Sequence, residues 1–317
     1  MNIQTLNLII SFIATVILGA IVVPKLRKLK VGQIVREDGP KSHLKKSGTP
    51  VMGGIVMIIV VTIILAVNLV NYRELIIPIV AIFGCGIIGF IDDYKKLVKK
   101  NTEGLSPKKK IFGLLIITAL VIVLYLKVFN FGTEIIVPFV NQPLYLSPLV
   151  FVIFTAFVFI GTTNAVNLTD GLDGLASGVV AIIMTFFTLI AIKNQEKDMI
   201  ILGASCVGTC LGFLVFNYHP AKVFMGDTGS LALGGAVAAI AIMLKMPLYL
   251  LIVAFVCVFD TISVALQVIY FKITKGKRLF KMAPFHHHLE LSGMKETKVV
   301  ILFWCITLAL CALAYFI

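Results

Sequence analysis

Charged side chains are scarce in this sequence, at 14% of 317 residues where soluble domains carry about 25%. Acidic residues are scarcer still, 15 against 28 Lys and Arg. So little charge excludes a chain whose main solvent is water. The apolar runs are continuous rather than alternating, which excludes a transmembrane barrel. The first run has neither a basic leading region nor a small-residue cleavage site, so it is expected to be a span rather than a signal peptide. None of the six cysteines belongs to a CxxC pair, and all six lie in apolar runs. That excludes a zinc site and a disulfide framework and leaves cysteine as a small apolar residue. No internal repeat, low-complexity tract or linker divides the chain, so one integral membrane domain over 1–317 is expected.

Apolar runs are what the sequence has in quantity. It is 59% hydrophobic, and about 20 such residues cross a bilayer as a helix. Ten runs qualify: 5–23, 51–70, 75–91, 111–128, 148–166, 175–193, 199–217, 228–244, 247–270 and 299–316. The expected fold is an all-α polytopic membrane protein of about ten transmembrane helices. The loop 129–147, with β-branched and aromatic residues around Pro138 and a break at Asn141–Pro143, predicts a small hairpin on the outer face.

The net charge of +13 would suit nucleic acid, but its placement excludes that reading. Of the 28 Lys and Arg, 23 fall in the four stretches 24–50, 92–110, 218–227 and 271–298. The positive-inside rule puts these loops in the cytoplasm, and an even number of spans puts both termini outside. The expected location is a membrane, with this basic face toward the cytoplasm. The basic excess then serves topology, attraction to anionic lipid and the binding of an anionic substrate.

Polar residues gather on that same face. Asp92, Asp93, Asp170, Asp173 and Asp227 all sit at span edges there, as do His219 and His286–His288. Five carboxylates repel each other unless a cation relieves them. Oxygen-only donors with water access suit Mg²⁺, above all where phosphates complete the coordination. Lysines and glycines nearby suit phosphate. Together they point to phosphoryl transfer, in which positioning and charge neutralisation do most of the catalysis. Each feature has a plainer explanation. Asp92 and Asp93 can pair with Lys95 and Lys96 at helical spacing. Asp170, Asp173 and "MGDTGS" can be turns and helix caps. Gly53, Gly54, Gly234 and Gly235 read as close-packing residues. "HHHLE" can be an interfacial patch, and His43 alone says little. The case for a site rests on convergence.

Five segments carry a resemblance: "DGPKSHLKKSGTPVMGG", "GFIDDYKK", "NAVNLTDGLDGL", "FNYHPAKVFMGDTGS" and "QVIYFKITKGKRLFKMAPFHHHLE". In this order they resemble the bacterial phospho-N-acetylmuramoyl-pentapeptide transferases, of the polyprenyl-phosphate N-acetylhexosamine-1-phosphate transferase superfamily. The resemblance covers Asp38 to Glu290. It implies transfer of phospho-MurNAc-pentapeptide from UDP-MurNAc-pentapeptide to undecaprenyl phosphate, giving lipid I and UMP with Mg²⁺ as cofactor. By matching position it implies an acidic pair, Asp92 and Asp93, and a metal ligand, Asp227. It implies a nucleotide-side loop of Asn167, Asp170, Gly171 and Asp173, with Phe224 near the uracil and Asn217 in the same motif as Asp227. Lys46, Lys96 and Lys110 match basic positions of the site, although Lys108 and Lys109 adjoin Lys110. Gln267 and the histidines His286, His287 and His288 match the last cytoplasmic segment. The family also implies a homodimer, for which no residue here is a marker.

Val51 follows "GTP" where the family commonly has Thr, and Asp260 stands where Glu is common. Phe285 and Leu289 flank the histidines where an aliphatic and an aromatic residue are usual. An N-acetylglucosamine-1-phosphate transferase would share the aspartates, whereas "APFHHHLE" and "GTPVMGG" favour the muramoyl enzyme. A transporter would place ionisable residues near the bilayer midplane, where these spans have very few.

Overall fold

The computed structural model describes residues 2–28, 46, 48–99, 104–140 and 142–317. The motif stretch from Arg36 to Lys45, with His43, lies outside the described residues. In chain order the helices are α1 (Ile3–Lys28), α2 (Gly54–Asn68), α3 (Ile76–Lys99), α4 (Pro107–Val123), α5 (Pro148–Thr169), α6 (Leu175–Asn194), α7 (Lys197–Asn217), α8 (Gly226–Met243), α9 (Leu250–Val253), α10 (Phe255–Ile273), α11 (Phe285–Leu291) and α12 (Glu296–Tyr315). Among the described residues, nine are long and apolar enough to cross a bilayer: α1, α3 to α8, α10 and α12. A short hairpin pairs β1 (Glu134–Ile136) with β2 (Pro143–Tyr145), antiparallel, inside the loop where the sequence predicts one.

Two of the ten expected spans differ in form. Only Gly54–Asn68 of the run 51–70 is helical, and 15 residues at about 1.5 Å each fall short of a bilayer core of about 30 Å. The run 247–270 is broken into a 3₁₀ turn at Pro247–Tyr249, the single turn of α9, and α10. Pro247 suits a first turn because it has no N–H to leave unpaired, and Ala254, at φ −103° and ψ 22°, departs from helical geometry between α9 and α10. In α3 the helix runs past the last apolar residue to Lys99, because Phe90–Lys99 holds no Gly or Pro and Lys96 and Lys99 suit its C-terminal dipole. Asp92 and Asp93 therefore sit within a helix, and both are buried.

The helix directions put both chain ends opposite the acidic residues. Helix α1 runs parallel to α7: Gly208 lies against Ser11, Gly212 against Thr15, and Gly19 against Phe216. Five of the six cysteines are buried, as expected for small apolar residues, whereas Cys305 is exposed on α12.

Helix α8 is the centre of the bundle, buried continuously from Thr228 to Met243. Its Gly- and Ala-rich sequence lets neighbours approach to backbone contact, the usual basis of helix packing in lipid. A Cβ on Gly54 would lie 2.2 Å from Gly229 Cα, one on Gly234 2.6 Å from Thr163 Cα, and one on Gly235 2.9 Å from the Ala81 carbonyl oxygen. The closest approach is functional in position: a Cβ on Gly89 of α3 would lie 2.0 Å from the Asp227 carbonyl oxygen. Gly89 thus sets how near Asp92 and Asp93 come to Asp227. We expect Gly89→Ala to push α3 and α8 apart, costing about 1–3 kcal/mol of overpacking strain. Thermal unfolding and turnover of the purified variant check this. Unchanged turnover at a normal Tm would show that the contact yields freely.

Candidate active site

Three carboxylates from two helices meet at one end of the bundle. Asp92 and Asp93 come from α3 and Asp227 from the first turn of α8, with one oxygen of each within 4.8 Å of the others. Asp93 is consumed by the packing itself. Its Oδ1 accepts from the Asp227 N–H (3.1 Å) and its Oδ2 from the Thr228 N–H (2.9 Å) and hydroxyl (2.7 Å). These amides at the start of α8 have no intrahelical acceptor, so a side chain of α3 caps α8. Gly226 makes the cap possible: its φ is +74°, and a Cβ there would lie 2.5 Å from Asp93 Oδ2.

Asp92 is held differently. Its Oδ1 accepts from the Leu105 N–H (2.7 Å) and its Oδ2 lies 2.6 Å from Lys96 Nζ. The helical pairing with lysine that the sequence allows is therefore real, but Lys96 also reaches Asp227. Asp227 Oδ2 lies 3.1 Å from both Lys96 Nζ and Lys110 Nζ, and its Oδ1 accepts from the Asn167 side chain at 2.9 Å. Asn167 accepts in turn from Lys110 (3.0 Å) and donates to Ser230 (2.8 Å). Of the adjoining lysines 108–110, Lys110 is the one whose ammonium contacts Asp227. Three carboxylates face two lysines in a cluster of hard oxygen donors. That donor set fits a hard divalent cation.

The turn between α5 and α6 links this cluster to a second. Asp170, half-buried at the end of α5, has its carboxyl pushed well above the ordinary range by burial, then by Asp227, Asp93 and Asp173. Asp173 accepts from Lys46 Nζ at Oδ1 (2.7 Å), and from the His219 ring (3.0 Å) and the Ala221 N–H (3.0 Å) at Oδ2. Lys46 Nζ stands 6.0 Å from the centre of the Phe224 ring. Asn217 belongs to the scaffold of this region, since its Oδ1 accepts from the Gly174 N–H and the Ser177 hydroxyl and its amide donates to the Val223 carbonyl.

The three histidines divide, as successive helical positions diverging by about 100° require. His286 is fully buried, with Nδ1 2.7 Å from Asp260 Oδ2. Among the described residues its Nε2 has no hydrogen-bond partner, and it lies beside Gly171, where a Cβ would come within 2.2 Å. His287 lies 3.0 Å from Glu290 through Nδ1. His288 accepts from the Lys281 N–H at 3.1 Å and packs against Phe285 and Phe280, so it holds the loop. Gln267 does the same: its carbonyl accepts from the Leu279 and Phe280 N–H groups and its amide donates to the Phe280 carbonyl.

Sequence reasoning assigned no role to Glu296, His219, Ser230, Thr228 or Asp260, though all contact these clusters. A signal existed for Asp260, a carboxylate inside an apolar run, where an ionisable residue needs a partner. For Glu296 nothing local stood out.

A family model described as glycosyl transferase family 4 matches residues 75–245. The phospho-N-acetylmuramoyl-pentapeptide-transferase of Acetivibrio thermocellus is 52% identical over 97% of this chain and 93% of its own length. Those of Halalkalibacterium halodurans and Bacillus subtilis are 48% and 47% identical, each over 98% of this chain and 96% of their own. Identity at this level over nearly the whole length, with the aspartates gathered at one end of a membrane bundle, places the chain in glycosyl transferase family 4, among the phospho-N-acetylmuramoyl-pentapeptide transferases.

Proposed function

We propose that the Asp92–Asp93–Asp227 cluster is the reaction centre, and that it works at the cytoplasmic face of the bacterial inner membrane. The chain is a phospho-N-acetylmuramoyl-pentapeptide transferase, which makes lipid I for peptidoglycan. A prenyl phosphate keeps its tail in lipid and its phosphate at the interface, while a UDP-sugar arrives from water. Carboxylates at the end of a membrane bundle are where the two can meet. That observation carries the assignment.

The chemistry follows from which groups are free to change partners. An oxygen of undecaprenyl phosphate attacks the sugar-bearing phosphorus of UDP-MurNAc-pentapeptide, and the bond to UMP breaks. Asp93 is committed to backbone amides of α8. The Asp92 partner Lys96 is a half-exposed side chain that can turn to an incoming phosphate. Asp92 is therefore the candidate to take a proton from the prenyl phosphate. Lys96 and Lys110, both on Asp227, are placed to neutralise the diphosphate. Asp227 would hold Mg²⁺, which when bound would withdraw charge from the diphosphate and the departing UMP phosphate. Asp260 fixes His286 through Nδ1, so Nε2 is the nitrogen left for the substrate, and its orphaned state supports a polar group belonging there. Lys46, Asp173 and Phe224 form the nucleotide side, with the Phe224 ring as a stacking face for the base.

Basic residues at the site end and chain termini at the other support a cytoplasmic site with both termini outside. A single membrane domain is supported by α8, which packs against α2, α3, α5, α6 and α7 at once.

Incubation of the detergent-solubilised protein with UDP-MurNAc-pentapeptide, undecaprenyl phosphate and Mg²⁺ should give lipid I and UMP in equal amounts. Product from UDP-N-acetylglucosamine instead would move the chain to the related hexosamine transferases. Among the histidines we expect unequal losses. His286→Ala should lower turnover by about tenfold to a hundredfold, the loss of a hydrogen bond to a charged group. His288→Ala should mainly loosen the loop and lower Tm. Equal and small losses for both, measured side by side, would remove His286 from the site.

A further inference from the structure

Glu296, the first residue of α12, reaches out of its helix into the second cluster. Its Oε1 accepts from the Asp173 N–H at 2.9 Å and pairs with Lys46 Nζ, while its Oε2 lies 3.6 Å from His219 Nδ1. Its side chain is nine-tenths buried, and that of Asp173 is deeper still. Four segments distant in sequence thus close a ring: Lys46 before α2, Asp173 in the turn before α6, His219 before α8, and Glu296. Asp173, His219 and Glu296 also have metal-ligand spacing, and the Lys46 ammonium bridges the two carboxylates.

The division of labour within the ring is specific. Asp173 spends its carboxylate on Lys46, His219 and the Ala221 amide. Glu296 holds what Asp173 cannot hold for itself, its own backbone N–H, and gives Lys46 a second anchor. Two anchors fix the ammonium beside the Phe224 ring instead of leaving a four-carbon stem to search. The same contact pins the turn that carries Asp170 and Gly171.

We propose that Glu296 is a positioning residue for the nucleotide half of the substrate: it sets Lys46 and the Asp170–Asp173 turn around Phe224 and touches no reacting atom. This rests on the reading of Lys46, Asp173 and Phe224 as the nucleotide side. Removing it should weaken nucleotide binding and spare the chemical step and the lipid.

The test uses the solubilised full chain, UMP binding by calorimetry, and steady-state kinetics in both substrates. In Glu296→Ala the UMP Kd and the KM for the UDP-sugar should rise at least about tenfold, the size of a lost charged hydrogen bond. Both kcat and the KM for the prenyl phosphate should stay within about threefold, the signature of lost uniform binding. Glu296→Gln keeps an oxygen for the Asp173 N–H but has no charge for Lys46, so it should fall between the two. It also carries the test should Glu296→Ala fail to fold. Folded variants with unchanged UMP affinity and KM, or a fall confined to kcat, overturn the proposal alone. Wild-type protein that makes lipid I yet binds no UMP overturns the nucleotide-side reading, and the proposal with it.

Discussion

Replacing Asp227 by Asn is expected to lower turnover at least about a hundredfold, or about 2.7 kcal/mol of barrier, and to weaken Mg²⁺ binding in parallel. The reason is the density of charge on one carboxylate. Asp227 Oδ2 faces both Lys96 and Lys110, and Oδ1 takes the Asn167 amide. An Asn in its place removes the anion that both lysines address, and it sets a second amide donor against one of these partners. The fold should survive, because the Asp227 backbone N–H stays on Asp93 whatever side chain it carries. Turnover against Mg²⁺ concentration, with thermal unfolding as control, measures both halves. Full activity with an unaltered Mg²⁺ dependence would take Asp227 out of the metal role.

Which parts of this were legible in the sequence follows from how local each signal is. Span positions depend on runs of apolar residues, and these need no partner to be read. The hairpin was visible in its turn residues for the same reason. The break at Ala254 and the shortness of α2 were not, because neither interrupts the apolar run. The aspartates were visible as charges out of place, yet their roles depend on atoms elsewhere. Nothing in "FIDDYKK" says that Asp93 caps α8 while Asp92 faces Lys96, since that follows from the approach at Gly89. Gln267 and Asn217 matched site motifs and are found holding loops. Glu296 was invisible because the ring it closes is drawn from four distant segments.

The adjacent aspartates should therefore fail in different ways. For Asp92→Asn we expect turnover to drop at least about a hundredfold with Tm nearly unchanged, a barrier change of about 2.7 kcal/mol. Asn keeps an acceptor for the Leu105 N–H but can take no proton from a prenyl phosphate and offers Lys96 no charge. For Asp93→Asn we expect turnover and Tm to fall together. Its two oxygens serve two amides and a hydroxyl of α8, and an amide nitrogen at either position faces a donor. Losing such a cap costs about 0.5–2 kcal/mol, and leaving a buried N–H unpaired adds to it. Since Asp227 is the residue the cap holds, the active site loosens along with the helix. Turnover per folded molecule, read against unfolding temperature for each variant, separates the two. An Asp92→Asn protein that loses stability but turns over normally per folded molecule would reduce Asp92 to a partner for Lys96. It would also leave proton transfer to some other group.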